Sequence, residues 1–189
     1  MQATTKNICD QQLMQQICQG NEKALSQIID RYMHDVFRMS YHLLDDTAKA
    51  EDITQDTFIT LWDKPEKWQP SGTLKSWLLR IARNKSIDEI RKRKLQINIE
   101  DTNIESNDIK QDTHIFNREI STLLHMHVKA LPERQCEAIT IVHFLECSNT
   151  EAASIMNISV NALESLLARG RRKLRLSLKN NKDIIKGEI

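Results

Sequence analysis

Apolar side chains in this sequence recur at helical spacing over stretches far longer than a strand, and little stands in their way. From Gly20 to Leu44 the residues Ala24, Leu25, Ile28, Ile29, Tyr32, Val36, Phe37, Leu43 and Leu44 mark one face of a long helix. Only 4 Gly and 3 Pro interrupt 189 residues, and aromatics make up 5%. That scarcity of breakers suits long helices and disfavours a sandwich with frequent tight turns. A short helix is expected near Asp10–Gln19, a second long one from about Thr47 to Trp62, and a third from about Thr73 to Lys94. Asp63–Gly72, with Pro65, Pro70 and Gly72, reads as the loop between the last two. These helices can bury their stripes against one another as one domain.

The pattern then breaks. QINIEDTNIESNDIKQDTHIF is polar, acidic on balance and without sustained periodicity, which is the composition of a linker. At ~3.3–3.6 Å per residue its roughly twenty residues could reach about 70 Å when extended. Beyond it, Pro132 suits the first turn of a helix reaching about Glu146. Ser148-Asn149-Thr150-Glu151 has the form of a capping box opening a short helix to Met156. Asn157-Ile158-Ser159 makes a tight connection, with Ser159 capping a long helix over about Val160–Leu178. Short helix, tight turn and long basic helix make a helix-turn-helix. The expected fold is therefore all-α: two small helical domains, residues 8–95 and 117–180, joined by an acidic linker at 96–116.

Forty per cent apolar and 28% charged residues are the composition of a globular protein. No apolar run approaches the ~18–20 residues that cross a bilayer, and MQATTKNICDQQ lacks the apolar core of a signal peptide. A cytoplasmic protein that does not insert into membranes is expected. There Cys9, Cys18, Cys136 and Cys147, which form no CxxC pair, would remain thiols. The net charge of +1 makes no global case for nucleic acid; the distribution of charge does.

At 100° per residue, Leu163, Leu166, Leu167, Gly170 and Leu174 form one stripe of the last helix, facing the core. Asn161, Ser165 and Arg172 lie opposite, flanked by Ala168 and Arg169. Recognition helices set N-terminal residues against base edges and later ones against the backbone. Asn161 and Ser165 are thus candidate base readers, with Ser159 at the entrance; Arg169, Arg171, Arg172 and Lys173 are candidate phosphate contacts. The competing interpretation, a solvated basic helix end that complements its dipole, leaves the capped helix upstream unexplained.

The helix from Thr73 to Lys94 carries Lys75, Arg80, Arg83, Lys85, Arg91, Lys92, Arg93 and Lys94, and the loop before it holds Trp68. Cations beside aromatics suit melting DNA, where charge tracks the backbone and rings or pockets hold unstacked bases. Trp77 taken alone reads more simply as core. On the helix Thr47–Trp62, Ala50, Ile53, Thr57 and Leu61 form the inward stripe, while Asp52, Gln55, Asp56 and Ile59 line the other side. An acidic face that includes an apolar residue suits protein docking. Asp45, Asp46, Glu51, Asp52 and Asp56 could be taken as a catalytic or metal cluster, but most sit on one exposed helix rather than converging in a cleft. Cys136, His143 and Cys147 fall near one helix face, with His125 and His127 close in sequence. A thiol or metal sensor there competes with small core hydrophobes.

AEDITQDTFITLW (Ala50–Trp62) and WLLRIARNKSIDEIRKRK (Trp77–Lys94) resemble the second conserved region of extracytoplasmic-function sigma factors. LPERQCEAI (Leu131–Ile139) and TEAASIMNISVNALESLLARGRRKLR (Thr150–Arg175) resemble that family's fourth region, a four-helix, winged-helix-like unit. The resemblance covers most of the chain except the linker and tails. It implies that the first domain docks on the clamp helices of RNA polymerase's largest subunit through Asp52, Gln55, Asp56 and Ile59. The −10 promoter element would be read by the loop around Trp68–Gly72 and by Lys75, Trp77, Arg80, Arg83, Asn84 and Asp88. The second domain would read the −35 element in the major groove and touch the polymerase flap. The resemblance also implies an anti-sigma factor as partner, a nucleoid location in holoenzyme, no small-molecule substrate or cofactor, and no catalytic residues of the chain's own. A dimeric helix-turn-helix regulator would account for the second domain but leave the first without a purpose.

Departures from the family pattern carry expectations too. Leu74 stands where an aromatic is frequent, and Trp77 is single where housekeeping sigma factors tend to have paired aromatics, which implies melting limited to favourable −10 sequences. Asn157 replaces a usual glycine, a change that left-handed backbone tolerates. Asn161, Ala162, Glu164 and Leu166 replace the common Gly, Thr, Lys and Arg, so the family's typical −35 sequence does not carry over.

Overall fold

The computed structural model describes residues 9–70, 72–97 and 124–186, without the side chains of 94, 96, 97 and 180–186. The expected linker from residue 98 onward, and the start of the second domain at 117–123, lie outside the described residues. Every regular element among the described residues is helical. The chain divides into two compact units, Met1–Ser86 and Ile87–Ile189.

In the first unit α1 (Asp10–Cys18), α2 (Glu22–Leu44) and α3 (Thr47–Asp63) are followed by a 3-10 turn at Pro65–Lys67 and by α4 (Leu74–Ile97). Each boundary has a local cause. Gly20 ends α1 at φ +79, a left-handed backbone that costs glycine nothing. The Asn21 side chain accepts from the amides of Lys23 and Ala24 at 3.0 and 3.3 Å and opens α2. Asp45 closes α2 at φ 58, and the Asp46 carboxylate accepts from the Lys49 amide at 3.1 Å to start α3. Thr73 accepts from the Ser76 amide at 3.2 Å just before α4.

Leu13, Ile28, Met39, Leu61, Leu74, Leu78 and Leu79 are the large fully buried side chains of this unit. Burying each stabilises the fold by about 1.5–3 kcal/mol relative to leaving it in water. Thr54 and Thr57 are buried as well, because their hydroxyls donate to the carbonyls of Ala50 and Ile53, both at 2.7 Å. Asp10 ties α1 to α2 by pairing with Arg31 and accepting from the Tyr32 hydroxyl. Burial and this carboxylate push the Tyr32 phenol well above its ordinary range.

The division between units falls inside α4, ahead of residue 95. The helix itself continues to Ile97, so the first two residues expected in the linker are helical. Arg, Lys, Leu and Gln, which fill this end, are good helix formers even without a packed face.

The second unit contains helical residues 124–129 (α5), α6 (Glu133–Ile139), α7 (Asn149–Met156) and α8 (Val160–Lys186). Among the described residues no strand accompanies these helices. Pro132 is the residue before α6, one position earlier than expected, with extended backbone at ψ 140. After Ile139 the helix widens into a π segment, Thr140–Phe144, whose exit bond runs from the Leu145 amide to the Thr140 carbonyl at 3.1 Å. It does not reach Glu146, which takes φ 55 and turns the chain into α7. The capping box is complete. Ser148 Oγ accepts from the Glu151 amide at 3.3 Å, and the Glu151 carboxylate accepts from the Ser148 amide at 3.0 Å. Asn157 ends α7 at φ 52, and Ser159 Oγ accepts from the Ala162 amide at 3.2 Å to open α8. That helix runs eight residues past the expected Leu178, to Lys186.

Candidate nucleic-acid interfaces and docking face

On α3 the inward stripe is Ala50, Ile53, Thr57 and Leu61, all buried, while Asp52, Gln55, Asp56 and Ile59 are all exposed. Ile59 is 55% exposed, a large apolar side chain on an otherwise polar face. Beside it lies a cavity of about 630 Å³ between α2 and α3, lined by Leu25, Ile29, Met33, Phe58, Ile59 and Trp62, with Glu22, Thr54 and Gln55 at its edge. The acidic face is thus continuous with accessible apolar surface. Asp56 is also bonded within the chain, to Lys85 Nζ of α4 at 3.1 Å.

Asp45 and Asp46 serve helix ends. Among the described residues no three His, Cys, Asp or Glu side chains converge to hold a metal ion.

On α4, Trp77, Arg80, Arg83, Asn84 and Asp88 fall within roughly 140° of helix face at 100° per residue. Arg80, Asn84 and Asp88 are exposed, and Trp77 and Arg83 are half-buried. Arg83 Nη1 donates to Asn84 Oδ1 at 3.1 Å. Lys75 stands on the opposite side and pairs with Asp35 of α2 at 2.9 Å, so the structure does not bring it together with the others. Trp68 follows the 3-10 turn, half-buried, and its indole Nε1 is shielded from water with no hydrogen-bond partner. A buried donor without an acceptor costs about 1–3 kcal/mol.

In the second unit Leu163 and Leu167 are buried, Gly170 is buried, and Leu166 and Leu174 are half-buried, as the stripe requires. Asn161, Ser165, Arg169, Arg171, Arg172 and Lys173 are exposed. The Ser159 oxygen is occupied as a helix cap. Ser165 Oγ donates to the Asn161 carbonyl at 3.0 Å, which leaves its oxygen able to accept. Arg169 Nε donates to the Ser165 carbonyl at 3.1 Å.

Arg171 behaves differently. Its Nε and Nη2 lie 3.3 and 3.2 Å from His143 Nε2 on the π segment. Sequence reasoning missed this pair and the Asp56–Lys85 pair, because residues 28 and 29 positions apart leave no periodic signal. His143 is therefore turned to an arginine rather than to the cysteines. Burial pushes the Cys136 thiol above its ordinary value, outweighing the nearby Lys129, which makes it a poor nucleophile. Cys147 Sγ faces the Leu145 carbonyl at 3.8 Å. His127 Nδ1 meets Ser177 Oγ at 2.6 Å.

Among the described residues no helix is long and apolar enough to cross a membrane. Residues 28–96 match the family model for Sigma-70 region 2, and residues 121–174 match that for Sigma-70, region 4. The ECF RNA polymerase sigma factor SigM of Bacillus subtilis is 34% identical over 154 residues, covering 80% of this chain and 93% of that protein. SigW of the same organism is 27% identical over 178 residues, covering 88% and 95%. Among solved structures, the sigma factor RpoE in complex with the anti-sigma factor NepR from Bartonella quintana superposes with a TM-score of 0.70 at 27% identity. That match covers 83% of this chain and 98% of RpoE. CnrH, in complex with the cytosolic domain of CnrY, gives 0.71 at 23% identity over 90% and 97% of the two chains, a likeness of fold.

Proposed function

The chain belongs to the sigma-70 family, in its extracytoplasmic-function branch, and on that premise we propose how its surfaces divide the work of promoter-specific initiation. The first domain, residues 8–95, docks on the clamp helices of the polymerase's largest subunit through Asp52, Gln55, Asp56 and Ile59. It captures the −10 element with Trp68, Trp77, Arg80, Arg83, Asn84 and Asp88, and with Lys75 once that residue leaves Asp35. Residues 96–116 link it to the second domain, residues 117–180. That domain reads the −35 element with Asn161 and Ser165, entered at Ser159. Arg169, Arg171, Arg172 and Lys173 of α8 hold the phosphates, and the same domain touches the flap. Polymerase supplies the chemistry; the chain supplies recognition and strand capture in the cytoplasm, at the nucleoid when in holoenzyme.

The observation that carries this reading is the exposed face of α3. Two carboxylates, an amide and an isoleucine sit there opposite a buried stripe, in the same chain as a fully capped helix-turn-helix. Opposite-charge complementarity on such a face directs partner choice and encounter, and the apolar cavity beside Ile59 adds surface that a partner helix can bury. Control by an anti-sigma factor accords with this, since the similar RpoE was solved bound to one. A partner seated on α3 would exclude polymerase from the same residues.

Run-off transcription with purified core polymerase on the gene's own upstream region tests the assignment. A discrete product that depends on the chain is expected, together with stoichiometric copurification of core enzyme. A stable homodimer on a palindromic duplex, with no product and no bound core, would sink it.

A further inference from the structure

Three features converge where α6 meets α8. A Cβ built on Gly170 would lie 3.2 Å from Ile139 Cγ1 and 3.6 Å from Gln135 Cβ, so α8 crosses α6 here at a distance where any larger residue would have to displace the Ile139 side chain by a few tenths of an ångström. One residue after Ile139 the helix widens into the π segment, a device that re-aims side chains and recurs at functional sites. One residue after Gly170 comes Arg171, whose Nε and Nη2 both reach the Nε2 of His143 on that segment.

A guanidinium has donors and no acceptor, so the imidazole must present its Nε2 lone pair and carry its proton on Nδ1. Burial, and then Arg171 itself, lower the His143 pKa from its ordinary value, which keeps this acceptor form at neutral pH. Two N–H groups of Arg171 are thereby held, while Nη1 and the second Nη2 hydrogen remain. A free arginine side chain spreads over many rotamers, about 2 kcal/mol of entropy. The neighbours Arg172 and Lys173, both exposed, have no comparable tether among the described residues' hydrogen bonds and ion pairs.

From this geometry we infer that His143 is a positioning residue for duplex recognition: it holds the Arg171 guanidinium with its outer N–H groups set to meet a DNA phosphate. The inference rests on the reading of α8 as the −35 helix, and assigns to His143 a part that the recognition helix cannot supply alone. A preset arginine loses less freedom on binding than a mobile one, and that saving appears as affinity.

Holoenzyme reconstituted from core polymerase and the full chain is titrated with promoter duplex at fixed salt, with each variant's thermal melt recorded alongside. His143→Ala is expected to weaken binding by about three- to tenfold, the scale of ordering one arginine side chain on binding. His143→Gln, whose amide oxygen can accept from a guanidinium, restores affinity to within about twofold of the parent. Arg171→Ala weakens binding at least as much as His143→Ala, and adding His143→Ala to it costs nothing more, the signature of two residues acting through one contact.

If His143→Ala binds like the parent while Arg171→Ala is weak, positioning is overturned and the reading of α8 stands. A weak His143→Gln variant with an unchanged melt overturns the acceptor role. A normal Arg171→Ala beside a weak Arg172→Ala removes Arg171 from the DNA contacts and the proposal with it. Loss of all effect from Arg171, Arg172 and Lys173 together refutes the −35 reading itself.

Discussion

The two units carry their positive charge in opposite ways. In the first, Lys75 and Lys85 of α4 are matched by carboxylates of neighbouring helices, Asp35 at 2.9 Å and Asp56 at 3.1 Å. In the second, Arg171, Arg172 and Lys173 are exposed, and the side chain facing Arg171 is an imidazole kept neutral by its surroundings. A near-neutral net charge conceals this contrast. On the proposed reading, the exposed cations of α8 face DNA without first leaving a carboxylate, which favours encounter at a distance. Lys75 and Lys85 must give up an internal partner before they serve another, and one of those partners, Asp56, belongs to the proposed polymerase face. On that reading, recognition of duplex DNA and capture of opening DNA differ in what has to happen beforehand.

The largest effect expected from this contrast is on assembly. Asp52→Arg with Asp56→Arg reverses the α3 face and should abolish association with core polymerase, while far-ultraviolet circular dichroism stays helical. Normal copurification by that variant would remove the docking assignment. Next come the cations. Arg172→Ala should reduce the salt slope of holoenzyme binding to duplex by about one unit, as loss of one phosphate contact does. Lys75→Ala, already paired with Asp35, should change it by about half that or less; equal changes would break the comparison between units.

A smaller effect concerns backbone strain in the second unit. Glu146 sits at φ 55 with no glycine's freedom, so Glu146→Gly should raise stability by about 1 kcal/mol in denaturant titration. An unchanged or lower midpoint would mean that the Glu146 side chain contributes more than its backbone costs. The smallest effect is the coupling between Lys85 and Asp56. Both side chains are partly exposed, at 34% and 58%, and a double-mutant cycle on stability should give about 0.2–1 kcal/mol. A larger coupling would make the pair a structural clamp rather than a contact ready to exchange.

Much of this was legible in the sequence because its causes are local. The helices of the first unit and both caps of the helix-turn-helix follow from spacing and from Ser148, Glu151, Asn157 and Ser159, whose bonding partners lie within five residues. The inward stripes of α3 and α8 were legible for the same reason. What was not legible depends on chain segments meeting. Nothing in the sequence around Thr140 announces a π segment, and neither Asp35 nor Lys75 signals its partner forty residues away. Lys75 was expected among the −10 contacts from its place in a basic helix, but the register of α4 turns it towards α2. Trp68, by contrast, is expected at the DNA face from its place before a basic helix and from the family resemblance, and its unpartnered indole gives that expectation a physical motive.

The segment from Ser148 to Ser159 carries its own instructions for turning the chain. A reciprocal cap, a left-handed asparagine and a second serine cap define the whole bend, and none of these bonds waits for a distant part of the chain. Structure of that kind forms on the timescale of a single helix or turn, about microseconds or less, before long loops have closed. The bend between α7 and α8 is therefore specified by residues inside it, and the packing of the core has only to hold a bend that the local chain already favours.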